Sequence, residues 1–134
     1  MTFNYQRRIH LSDTDAAGVL YFAKGLEICH EAYEESLIQS GIDLNQMIRG
    51  RKTALPIVHG EIDFLRPLFC GDLVQVNLAA SLINNSELAI AYQISLTNNL
   101  EQIVIKAQTR HVCINPQTRT RMDLPPEMRE WLNS

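Results

Sequence analysis

The chain lacks the features that would place it in several large functional classes. It has three cysteines, Cys29, Cys70 and Cys113, an odd number with no C-x-x-C spacing. Neither a disulfide framework nor a zinc knuckle is indicated, and a reducing cytoplasm is the expected setting. No apolar stretch approaches the ~20 residues that cross a bilayer, and the opening MTFNYQRRIH has no apolar signal core, so a soluble, unexported protein is expected. No run of basic residues stands out: 12 Lys and Arg stand against 15 Asp and Glu, a net charge of −3. Nucleic acid and anionic membrane are therefore unexpected partners, because those surfaces require clustered positive charge. There is no G-x-S-x-G, no phosphate loop and no dinucleotide fingerprint, which leaves serine-triad hydrolysis and phosphoryl transfer without support. Internal repeats, low-complexity tracts and linkers are also missing. What remains is 134 residues, 46% of them apolar, enough for one core and one domain.

Periodicity organises those residues. Phe3 to Leu11 alternates as a strand and runs into the turn-forming Ser12-Asp13-Thr14-Asp15. From Ala23 to Gln39 the positions Leu26, Cys29 or His30, Tyr33 and Leu37 recur at steps of three and four, which predicts one long helix closed at Gly41. Val74 to Ile83 and Leu88 to Leu96 alternate as a hairpin around Asn84-Asn85-Ser86. Further strands are predicted from Ala54 to Leu65 and from Gln102 to Ile114, and a short helix follows Pro125. The order implies an antiparallel α+β fold. One helix covers one face of a sheet, whereas Ala79, Ala89, Ala91, Ile103, Ile105 and Ala107 are read as small or apolar residues on the other. That face, or a sheet edge, is expected to be covered by another copy, giving a homo-oligomer.

Chemistry concentrates between residues 12 and 34. Asp13-Thr14-Asp15 and Gly18 open like a calcium loop, but Ala17 and Lys24 stand where its fifth and twelfth ligands belong. His30-Glu31 opens like a zinc-protease helix, but Glu34 occupies the second imidazole position. Cys29 and His30 are neighbours on a helix, about 100° apart, and cannot form a nucleophile–base pair. What survives is Asp15, followed by the bulk-free Ala16-Ala17-Gly18 and a helix start whose unpaired N–H groups can polarise a carbonyl oxygen. A carboxylate beside such a site is the minimum equipment for hydrolysing an activated acyl group, by direct attack or through water. The same Asp15 also fits a simple helix cap, and Asp13 an Asx-turn.

At these residues the sequence resembles the hotdog-fold thioesterases of the 4-hydroxybenzoyl-CoA thioesterase family. The resemblance rests on D-T-D-A-A-G-V-L-Y-F from Asp13, the helix after it, Asp63-Phe64-Leu65-Arg66-Pro67 with Gly71-Asp72, and the closing strands. More narrowly, C-H-E-A-Y-E from Cys29, L-P-I-V-H from Leu55 and H-V-C-I from His111 are similar to the cyanobacterial 1,4-dihydroxy-2-naphthoyl-CoA hydrolases of phylloquinone synthesis. The resemblance implies a single hotdog domain over 1–134, an antiparallel sheet of about five strands wrapped around one long helix. It also implies pairing into dimers and dimers of dimers, with acyl pockets lined by both subunits, an acyl-CoA substrate, and no metal or further cofactor. It places the catalytic carboxylate on Asp15 and the carbonyl-polarising N–H on Phe22. Basic residues that some members carry after the third strand to hold CoA phosphates are replaced by Asn84-Asn85.

Gly18, Tyr21 and His59 complete the candidate substrate contacts. Tyr21 and Phe22 can stack on an aromatic acyl group, although at least one of the two is expected in the core. His59 precedes Gly60, where the missing side chain leaves room for a ligand, and fits a hydrogen-bonded structural histidine better still. Glu31 and Glu34 are read as solvated or intersubunit charges, and Tyr33 as core.

Overall fold

Alternation of apolar and polar residues builds a five-stranded antiparallel sheet in the computed structural model, which describes residues 1–134. Strands β1 (Thr2–Arg8), β3 (Leu73–Asn84), β4 (Glu87–Leu96), β5 (Asn99–Val112) and β2 (Ile57–Phe64) lie side by side in that order. The β3–β4 hairpin turns where expected, with the Asn84 side chain accepting from the Ser86 N–H at 2.9 Å. One cross-strand row runs Tyr5, Val76, Ile94, Ile105, Phe64. Because side chains in such a row share a face, it carries the core from one sheet edge to the other.

Helix α1 (Phe22–Gln39) crosses that face, 18 residues or about 27 Å long at 1.5 Å per residue. Its buried stripe is Gly25, Ile28, Cys29, Ala32, Tyr33, Ser36 and Leu37, so Cys29 and not His30 takes the core position. A Cβ on Gly25 would lie 2.7 Å from Ile62 Cδ1 and 3.1 Å from Phe64, and glycine therefore lets α1 approach β2 this closely. Gly41, at φ +93°, closes the helix as predicted, its N–H donating to Ile38 O at 3.0 Å. Helix α3 (Pro126–Leu132) caps the far end, where Trp131 stacks on Tyr33 and its indole N–H donates to Ser36 Oγ at 3.2 Å. No helix is long and apolar enough to cross a membrane.

Four expectations change. The first strand ends at Arg8, because Leu11–Asp13 winds into a 3₁₀ turn closed by the Asp13 carboxylate on the His10 N–H. Strand β2 begins at Ile57, after Pro56, and Ala54 makes only an isolated bridge to Ile114. Helix α2 (Leu44–Gly50) is a further element beyond those expected; none of its residues is fully buried, Leu44 and Met47 pack part-buried against the core, and its start is set by Asp43 accepting from the Gln46 N–H. Ile105 and Ala107 point into the core, at 1% and 8% exposure, not onto the outer face. A register shift between β4 and β5 at Ile94 to Leu96 separates them from Ile103, while Ala79, Ala89 and Ala91 do share the outer face. The last two short strands, β6 (Ile114–Asn115) and β7 (Thr120–Arg121), form a separate hairpin.

Candidate active site

The chain between β1 and α1 is tied at both ends by Asp13. Its carboxylate is buried and accepts from Arg7 Nη1 at 2.6 Å and from the His10 N–H at 2.8 Å. Arg7 also donates from Nε to Glu31 Oε1 on α1 at 2.9 Å, and the Tyr5 hydroxyl donates to the same oxygen at 3.1 Å. Glu31 is thus a structural anion within the protomer, a correction to its reading as a solvated or intersubunit charge, whereas Glu34 pairs with His30 Nδ1 at 3.0 Å. Burial pushes the Asp13 carboxyl up, but the Arg7 bond, the His10 N–H and the nearby positive charge outweigh it and hold it below the usual carboxylate range. The Asp13 carbonyl then accepts the Tyr21 N–H at 2.8 Å, one residue before α1.

Between these anchors the chain reverses. Thr14 bridges Leu20, the Asp15 N–H donates to Val19 O at 2.9 Å, and the Gly18 N–H donates to Asp15 O at 3.0 Å. Gly18 makes the reversal at φ +81°, a conformation that costs glycine little. The Leu20 N–H donates to Leu68 O at 2.9 Å, fastening the loop to the segment after β2.

Asp15 is exposed on this loop and lines a cavity of about 390 Å³, together with Tyr21, Phe22, Phe64, Leu65 and Arg66. Its Oδ1 accepts from the Ala17 N–H at 2.8 Å, while Oδ2 has no protein partner. It does not cap α1: the N-cap is Tyr21, which offers no side-chain bond. The Phe22 N–H, first of the helix, consequently donates to no protein acceptor. Tyr21 and Phe22 are 44% and 65% exposed with rings 5.0 Å apart, so neither is core, contrary to expectation. Both instead form cavity wall, because the helix start is turned towards the opening.

Two candidates lie elsewhere. Gly18 shapes the turn but does not line the cavity. His59 pairs across the sheet with Arg110 and faces away from α1, on the side opposite Phe64; it is exposed, with Glu61 Oε1 3.8 Å away. It is neither in the cavity nor a buried structural histidine. One charged cavity residue has no role assigned from sequence. Arg66 reaches the wall from beyond β2, and with the Gln102 amide turned oxygen-inward, Oε1 accepts from its Nε at 3.0 Å and Nη2 at 3.2 Å. Its only sequence signal was membership of the Asp63–Pro67 stretch.

Asp15, with one carboxylate oxygen unpartnered, and Phe22, with an unpaired helix-start N–H, therefore line one largely apolar cavity. The arrangement can attack, or direct water at, an acyl carbon while stabilising its oxyanion. A family model described as the thioesterase-like superfamily matches residues 9–132. The chain belongs to that superfamily. Among curated relatives, the 1,4-dihydroxy-2-naphthoyl-CoA hydrolase of Crocosphaera subtropica is 52% identical over 130 residues, covering 97% of this chain and 95% of that protein. The enzyme of the same name from Rippkaea orientalis is 51% identical over 131 residues, covering 98% and 95%. Among solved structures, a 1,4-dihydroxy-2-naphthoyl-CoA thioesterase from Synechocystis superposes with a TM-score of 0.95 at 39% identity, covering 99% of this chain and 96% of that one. The hotdog architecture expected from the resemblance is the architecture observed, and this member of the thioesterase-like superfamily keeps it along nearly its whole length.

Proposed function

We propose that the chain hydrolyses 1,4-dihydroxy-2-naphthoyl-CoA to 1,4-dihydroxy-2-naphthoate and CoA, a step of phylloquinone biosynthesis in the cytoplasm. The observation that carries this reading is the free Asp15 oxygen beside the unpaired Phe22 N–H in one cavity. Relatives at about half identity over nearly their full length carry that activity in their names. In the mechanism the thioester carbonyl oxygen accepts from the Phe22 N–H, and the aryl group lies against Tyr21, Phe22 and Phe64. Asp15 either bonds to the carbonyl carbon or takes a proton from the water that does so. The tetrahedral oxyanion then collapses, breaking the carbon–sulfur bond and releasing CoA thiolate, which is protonated; on the direct route this leaves a mixed anhydride between Asp15 and the acyl group, which water cleaves to the free acid and the Asp15 carboxylate. Label found in Asp15 after single-turnover hydrolysis in heavy-oxygen water identifies direct attack, since it enters only when water cleaves the anhydride at the Asp15 carboxyl carbon.

The same reading takes residues 1–134 as one hotdog domain that assembles into a dimer of dimers. Strand β2 is a sheet edge, and Ile57, Val58, Phe64 and Leu65 at its ends are exposed. An unpaired apolar edge of this kind suits pairing with a second copy. His59 stands on that edge strand and would reach an acyl pocket only across such an interface. Gly18 serves the substrate indirectly, by holding the turn that presents Asp15.

Thiol release from a panel of naphthoyl, benzoyl and short aliphatic CoA esters tests the proposal. The dihydroxynaphthoyl ester is expected to be the preferred substrate. Preference for short aliphatic chains would replace the substrate, and thiol release from no ester would replace the enzyme with an acyl-binding module.

A further inference from the structure

The Asp15 cavity has two charged members, Asp15 itself and Arg66; most of its wall is apolar, from Val19, Leu20 and Phe22 on one side to Phe64 and Leu65 on the other. Arginine on a protein surface normally pairs with a carboxylate or is fully solvated. Arg66 is exposed and lacks the carboxylate: no carboxylate oxygen lies within 4 Å of it, and its guanidinium rests on the neutral Gln102 amide through Nε and Nη2. A neutral anchor leaves the positive charge uncompensated and the Nη1 hydrogens free to donate. The backbone is anchored as well, since the Leu65 and Arg66 N–H groups both donate to Val104 O, at 2.9 and 3.2 Å, and Pro67 follows with its fixed φ. A donor held in place before the ligand arrives loses little freedom on binding, which is the condition for discriminating between ligands.

We infer that Arg66 is a specificity-determining residue: it selects acyl groups that carry a ring hydroxyl, donating from its guanidinium to that oxygen while Asp15 faces the thioester carbon. The inference rests on the thioesterase reading and adds the feature of the acyl group that the pocket recognises. The position favours the acyl group over the nucleotide as partner. Arg66 shares the apolar cavity with Asp15, whereas the CoA phosphates are separated from the reacting sulfur by the whole pantetheine arm. Gln102 acts as a positioning residue through Arg66.

The test compares 1,4-dihydroxy-2-naphthoyl-CoA with unsubstituted 2-naphthoyl-CoA on the wild type, Arg66→Met and Arg66→Lys. The methionine keeps the stem's bulk and removes the donors. Arg66→Met is expected to lower kcat/KM about tenfold or more on the hydroxylated ester, chiefly through KM, and less than about twofold on the plain ester, because a site built to hydrogen-bond a substrate hydroxyl discriminates through that bond. Arg66→Lys should recover part of the loss. Equal losses on both esters would overturn the inference and assign the arginine to CoA or to the fold, and so would no loss. Equilibrium binding of the free acids 1,4-dihydroxy-2-naphthoate and 2-naphthoate to the same folded proteins gives a readout independent of turnover. The wild type should prefer the hydroxylated acid and Arg66→Met should lose that preference; equal affinities in the wild type overturn the assignment. A wild type that hydrolyses neither ester but keeps the preference would refute the thioesterase reading alone.

Discussion

Asp13 and Asp15 stand two positions apart in one turn, and the structure puts them to opposite uses. Asp13 is 3% exposed, with its oxygens on Arg7 and the His10 N–H and its carbonyl on the Tyr21 N–H. Asp15 spends one oxygen on the Ala17 N–H and leaves the other open to the cavity. The difference shows how a fold can keep a reactive group unsatisfied. A loop that presents a free carboxylate must be fixed by something else, and here the fixing is done by a second carboxylate that has no free oxygen to offer. The helix start obeys the same division: Tyr21 N–H is consumed in holding the loop, and Phe22 N–H remains available.

The sharpest way to break this comparison is Asp15→Asn, a near-isosteric change expected to lower kcat by ~10² or more while the thermal midpoint stays put. Near-normal turnover would remove Asp15 from the mechanism. Asp13→Ala should act in the opposite currency, costing about 2–3 kcal/mol of stability in urea titrations, because it strips a charged hydrogen-bond partner from Arg7 and His10. If it abolished turnover at unchanged stability, the two roles would have to be exchanged. Its pH signature follows from the sign of the shift. A carboxyl held below its unfolded value stabilises the fold above the usual carboxylate range, and that stability is lost as pH falls through the lowered value. Asp13→Asn should therefore flatten the most acid part of the stability curve.

His111 supplies an internal control at milder pH. Burial, and then the charge of His30, lower its pKa to about 4, with an opposing contribution from a hydrogen bond with the Leu55 backbone. The neutral ring packs on Tyr33 and shares a 2.9 Å hydrogen bond with Thr109 Oγ1. Its stabilisation is complete above the unfolded value of 6.5 and declines as pH falls from there towards about 4, with a slope approaching about 1.4 kcal/mol per pH unit. Denaturation of wild type and His111→Gln across that window should show the slope in the former and its loss in the latter. The smallest effect is expected at the residue between the two aspartates. Thr14 Oγ1 donates to Leu11 O at 2.7 Å, and Thr14→Val should cost about 0.5–1 kcal/mol with kcat unchanged.

Elements with a strong period are legible in the sequence itself. The β3–β4 hairpin and the stop of α1 at Gly41 fell where alternation and turn residues put them, because each is decided by neighbours within a few positions. Helix α2 escaped the sequence reading because it is only seven residues long and turns just Leu44 and Met47, each part-buried, towards the core, too short a run for a period to show. The face assigned to Ile105 and Ala107 was wrong for a related reason. A bulge shifts the side-chain phase by one, and nothing in a single strand announces it.

The local order of residues was enough to give an α+β domain, the place of its long helix, and a carboxylate ahead of that helix. These follow from short-range sterics and from which side chains shun water. Which of the two aspartates stayed free, that Tyr21 and Phe22 turned outward, and that Arg66 came to line the same cavity as Asp15 were decided by tertiary packing. Each depends on groups far apart in the chain competing for the same hydrogen bonds and the same space, and that competition exists only once the sheet has closed on the helix.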